Sequence, residues 1–141
     1  MFAVSAASAS SKTDAYAHLA AQAKALLEGE RDAGANSANL AALLFHSLPD
    51  LNWAGFYWLK DGGLVLGPFQ GKPACVRIAV GRGVCGTAAR DRRTVVVPDV
   101  DAFPGHIACD AASRSEVVVP VMRGAEVLGV LDAAERTLNA S

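Results

Sequence analysis

Apolar positions along this chain change period near residue 52, and the change divides it into a helical and a stranded part. Ser11 followed by Asp14 predicts a capping box that opens a helix through YAHLAAQAKALLE, with Gly29 at its end. A polar stretch, GERDAGANS, then separates it from a second predicted helix, Asn39 to about Ser47, which Pro49 stops. From Asn52 onward the pattern is that of strands. NWAGFYWLK is apolar on both faces, which predicts a central strand covered on each side. Asp61-Gly62-Gly63 predicts a hairpin turn into LVLGPF. TVVVPDV, EVVVPVM and EVLGVLD read as further strands, the last two joined by a tight turn at Arg123-Gly124. Between them, GRGVCGTAARDRR reads as a glycine loop opening a short helix. Helices first and hairpin-linked strands afterwards predict an α+β fold: an antiparallel β-sheet flanked by helices, two of them N-terminal. Residues 1–10 are small and polar and are expected to form a disordered N-terminal segment, with a single domain over 11–141.

Composition narrows the classes of function. The 141 residues suit one domain with one core, and 52% hydrophobic against 19% charged residues fit a globular chain. Thirteen basic and fourteen acidic residues leave a net charge of −1, with no basic run, so neither nucleic acid nor an anionic membrane is an expected partner. No apolar run approaches a membrane span. The opening MFAVSAASASS lacks the charged start of a signal peptide, so the expected location is the cytoplasm.

Chemistry concentrates on three cysteines. Cys75, Cys85 and Cys109 are separated by 10 and 24 residues, which fits neither a C-x-x-C redox pair nor paired zinc ligands. An odd number of thiols suits intracellular thiol chemistry better than a secreted disulfide framework, the plain alternative being three inert buried cysteines. His106 and Asp110 flank Cys109 with opposite expected effects on its thiolate. Two carboxylates, Glu116 and Asp132, sit at the ends of apolar strands. A three-residue turn in their hairpin places them directly opposite on one face, where two such groups cannot both ionise freely. One of them is then an acid able to donate a proton near neutrality; otherwise both are solvated strand ends. Trp53 and Tyr57 fall on one face of a strand with Gly55 between them, either as core aromatics or as walls of a pocket in which the glycine leaves room. GRGVCG lacks the Lys-Ser/Thr of a P-loop and the third glycine of a dinucleotide site, so its glycines read as turn or close-packing residues. His18, His46 and His106 share no ligand spacing, and no metal is expected.

Taken together, GPFQGKPAC (67–75), GRGVCGTAA (81–89), VPDVDAFPGHIACDAASRSE (97–116) and NWAGFYWL resemble one family, the free methionine-(R)-sulfoxide reductases, a catalytic branch of the GAF-domain proteins. The resemblance runs from about Leu40 to Asp132 and implies a GAF fold. It implies that Cys109 attacks the sulfoxide sulfur and becomes a sulfenic acid. Cys75 then resolves it as a disulfide that thioredoxin reduces, and Cys85 is an auxiliary thiol. Glu116 is implied as the acid that protonates the departing oxygen, Trp53 and Tyr57 as the pocket for the substrate methyl group, and Asp132 as a carboxylate at the substrate's polar end. A second aspartate is also implied two positions beyond Asp132, where this chain has Ala134. No metal or organic cofactor is implied, and a homodimer is. The readings to be set against it are a non-catalytic GAF sensor of a small molecule and a thiol redox switch without turnover.

Overall fold

The computed structural model describes residues 12–105 and 113–137. The α+β expectation holds. Two helices, α1 (Lys12–Leu27) and α2 (Ala33–Ser47), precede strands β1 (Leu51–Lys60), β2 (Gly63–Gly71) and β3 (Arg77–Ala79). Helix α3 (Gly83–Asp91), strand β4 (Val95–Val97) and a 3-10 turn at Val100–Ala102 lead to β5 (Ser115–Arg123) and β6 (Glu126–Glu135). The sheet order is β3-β2-β1-β6-β5-β4, and every neighbouring pair is antiparallel.

The second helix begins six residues before the predicted Asn39. Asp32 caps it, its carboxylate accepting from Ala35 N–H at 2.8 Å, and the Ser37 hydroxyl donates back to the Ala33 carbonyl. A polar first turn thus looked like linker, although capping gives it the partners a helix start needs. Strand β3 was missed altogether, since RIA is too short to carry a period.

β1 occupies the centre and is buried from Leu51 to Tyr57, as its double apolar pattern required. α2 lies across one face of β1 and β2, while α3 packs on the other face, over β5 and β6. Asp61 and Gly62 make a two-residue turn with φ of 52° and 80°, the paired positive values of a type I′ hairpin. Gly63 belongs to β2, where it pairs with Lys60. The second hairpin also differs from expectation. Arg123 pairs with Glu126, so its turn is Gly124-Ala125, and one extra β6 residue, Leu128, bulges between the pairs Met122–Val127 and Val121–Gly129.

Candidate active site

The α3 face of the sheet carries a cavity of about 60 Å³, room for several waters or a small polar group. Among its lining residues are Trp53, Tyr57, Cys85, Glu116, Asp132 and Ala134. Five of the seven residues singled out by sequence therefore meet at one place. Cys75 adjoins it, next to the lining residues Pro73 and Ala74. Cys109, with His106 and Asp110, lies outside the described residues.

β1 supplies the aromatic wall. Trp53 and Tyr57 share a face and stack, with ring centroids 6.0 Å apart and planes 26° apart. Trp53 stacks again on Phe69 at 5.2 Å. Gly55 leaves room, but not for a ligand. A methyl group there would come within 2.3 Å of Phe69 Cβ and 2.7 Å of the Trp53 ring, so the space is already filled by those side chains. Both aromatics also hold the segment that carries Cys75. Tyr57 O–H donates to the Cys75 carbonyl at 2.8 Å, and Trp53 Nε1–H donates to the Lys72 carbonyl at 3.1 Å. Burial, followed by the nearby Cys85, Asp132 and Glu116, raises the Tyr57 phenol far above its usual value, so it remains a donor.

α3 supplies the thiol. Gly86 lets this helix sit against the end of β3, where any side chain would run into the Ala79 carbonyl at 2.4 Å. The close-packing reading of the GRGVCG glycines is thus the right one. Cys85 is buried, and its Sγ–H donates to Asp132 Oδ2 at 3.3 Å. Burial and the two carboxylates push its thiol well above the usual range, so it rests protonated. Cys75, half-buried, is disulfide-bonded, whereas Cys85 is a free thiol.

β5 and β6 supply the carboxylates, in a register that corrects the expected one. Glu116 lies opposite Ala134, and Val118 lies opposite Asp132. With the turn at Gly124-Ala125, a regular ladder would set Glu116 against residue 133 and send Asp132 to the other face. The bulge at Leu128 adds the one further step that returns 132 and 134 to the Glu116 side. The carboxylates meet diagonally rather than squarely. Cys85 Sγ and one oxygen each from Glu116 and Asp132 all lie within 4.8 Å of one another. Asp132 is 8% exposed, and burial first, then the Glu116 charge and the hydrogen bond between the two, raises its carboxyl well above the usual 3.8. The expectation that crowding raises a carboxyl at this place is met at Asp132. Its other oxygen, Asp132 Oδ1, is buried and finds no hydrogen-bond partner among the described residues.

Sequence reasoning missed the two polar lining residues Arg82 and Ser113. Arg82 was inside the quoted GRGVCG motif, and only its position before α3 could have singled it out. Ser113, which accepts from Asn52 Nδ2 at 2.9 Å, was likewise inside the quoted 97–116 stretch, with nothing in its residue type to single it out.

Residues 35–140 match the GAF domain family. The chain is 56% identical over 121 residues to the free methionine-R-sulfoxide reductase of Escherichia coli K12, covering 86% of this chain and 73% of that one. Among solved structures, the free methionine-R-sulfoxide reductase of Neisseria meningitidis in complex with its substrate superposes with a TM-score of 0.94. It is 45% identical, over 100% of this chain and 84% of that one. The reduced form of the Staphylococcus aureus fRMsr is 52% identical with a TM-score of 0.84, over 86% and 79% of the two chains.

Proposed function

Because the chain belongs to the free methionine-(R)-sulfoxide reductase family of GAF-domain proteins, we propose that it reduces free L-methionine-(R)-sulfoxide to methionine. The observation that carries this reading is one cavity in which an aromatic wall, a thiol and a pair of carboxyls face one another. Trp53 and Tyr57 receive the methyl group at the sulfur end. Glu116 and Asp132 receive the ammonium group and supply a proton.

In the proposed cycle the Cys109 thiolate attacks the sulfoxide sulfur. The S–O bond breaks as the carboxyl pair protonates the oxygen, which passes to Cys109 as a sulfenic acid, and methionine leaves. The Cys75 thiol then attacks the sulfenic sulfur, forming a disulfide and releasing the oxygen as water. Support for Cys75 as the resolving thiol comes from its being disulfide-bonded while Cys85 is free. Two thiols of a thioredoxin-class protein return the pair to the reduced state. That requirement suits a reducing compartment, the cytoplasm. A homodimer remains part of the proposal.

The test is NADPH consumption with thioredoxin, its reductase and free methionine-(R)-sulfoxide. Sustained turnover is expected, and none would reject the activity. Cys109→Ser is expected to make no methionine. Cys75→Ser is expected to release one methionine per chain and then stop. Methionine from the Cys109→Ser protein would reassign the nucleophile, and full cycling by Cys75→Ser would remove Cys75 as the resolving thiol.

A further inference from the structure

The meeting of Cys85, Glu116 and Asp132 has a second chemical meaning, separate from reduction. A thiol and two carboxyls from three different elements converge, each at most 9% exposed. We propose that these three side chains form a binding site for a divalent cation of the zinc class, and that occupation of this site blocks the cavity.

Geometry supports the choice of ion. A tetrahedral zinc with one sulfur at about 2.3 Å and oxygens at about 2.0–2.2 Å sets its ligand atoms roughly 3.3–3.8 Å apart. Cys85 Sγ and Asp132 Oδ2 already stand 3.3 Å apart, and the whole trio lies within 4.8 Å. Closing the remainder takes a small side-chain adjustment. Asp132 Oδ1 points independently to a ligand, being a carboxyl oxygen in a side chain 8% exposed, on the cavity wall, with no hydrogen-bond donor among the described residues. A bound cation would satisfy it. One sulfur with two oxygens selects zinc, cobalt or cadmium over magnesium and calcium, which take six or more oxygens. Three protein ligands leave the fourth position of a tetrahedral ion for water or an incoming amino acid.

Binding exchanges protons for the ion. Cys85 binds as the thiolate and both carboxyls as carboxylates, so any protons they carry leave for solvent as the ion enters. No electron moves. The histidine spacings that suggested no metal could not reveal this site, because none of its ligands is a histidine and none is near another in sequence.

The consequence for catalysis rests on the functional reading above. The ion would sit where the substrate's ammonium group and the donated proton are placed, making it a competitive inhibitor. The experiment uses the oxidised protein, in which Cys75 is disulfide-bonded and thiol titration should find one free cysteine, Cys85. Cobalt(II) added to this protein is expected to give a thiolate-to-cobalt charge-transfer band and tetrahedral visible bands that saturate at one ion per chain. Zinc should abolish both. Cys85→Ser should remove the charge-transfer band, and Asp132→Asn and Glu116→Gln should each weaken binding at least tenfold, with circular dichroism confirming that each variant folds. No band in the parent protein, a band that survives Cys85→Ser, or unchanged affinity in both carboxyl variants would overturn the proposal. Free methionine-(R)-sulfoxide should displace the cobalt. If the band forms with the expected ligand dependence but the sulfoxide fails to displace it, the metal site stands and the placement of substrate falls.

Discussion

Opposite Glu116 on the cavity wall stands a methyl group, that of Ala134. An aspartate there would join Glu116 and Asp132 on the same face and add a second negative group for a substrate ammonium. Ala134→Asp is therefore expected to lower KM for free methionine-(R)-sulfoxide, by at most the 1–3 kcal/mol of a charge-assisted hydrogen bond. Little change is expected for the N-acetylated substrate. Equal change for both, or none, would show that position 134 does not read the ammonium group. Asp132 carries a different prediction. Its folded pKa is raised above 3.8, so the native state binds the proton more tightly than the unfolded chain. Its contribution is whole below pH 3.8 and is lost as pH rises towards the folded value. Asp132→Asn mimics the protonated acid, because its amide can donate to Glu116 and accept from Cys85. Measured with EDTA present, this variant should gain Tm over the parent as pH rises from 4 to 8, while losing activity. A parent–variant gap that does not grow with pH would mean that Asp132 carries no buried proton.

At the scale of elements, the positions that decide most are those where backbone approaches backbone. Gly129 lies between the two central strands, and a Cβ there would stand 2.3 Å from the Tyr57 carbonyl and 2.8 Å from the Trp58 ring. Gly129→Ala is expected to push β1 and β6 apart and cost about 1–3 kcal/mol in urea unfolding. A cost near zero would show that the strands can yield. Elements with a strong signal of their own were legible in the sequence. The doubly apolar β1 and the valine runs of β4 and β5 could be nothing but strands, and α3 followed from its glycines. Signals that depend on a partner were not legible. The first turn of α2 rests on the Asp32 cap, β3 exists only as an edge on β2, and the carboxylate register depends on a bulge that no spacing reveals. The same limit applies to the site. Residue types picked out Trp53, Tyr57, Cys85, Glu116 and Asp132, but how the two carboxylates meet, and what fills the space at Gly55, are settled by packing.

Across the molecule, the cavity draws one wall from each of three distant stretches: β1, α3 and the β5–β6 hairpin. The sheet that joins them ends in three-residue strands on both sides, β3 and β4. The hairpin is where the whole fold tolerates change in length. Leu128 has no opposite number, so its removal would let Val127 and Gly129 follow one another in a regular ladder without disturbing Val121–Gly129 or any pair beyond it. The turn-over would fall on the tip alone, rotating Val127 out of its buried place and Glu126 inward. Deleting Leu128 should thus cost roughly 1.5–3 kcal/mol, the worth of one buried valine, and leave reductase activity within a few-fold. Loss of activity in a folded protein would mean that the slip had travelled towards the carboxylates instead. The bulge is a slip joint: it takes up the loss of one residue at the hairpin tip as rotation, and leaves Asp132, four residues along β6, in register with Val118.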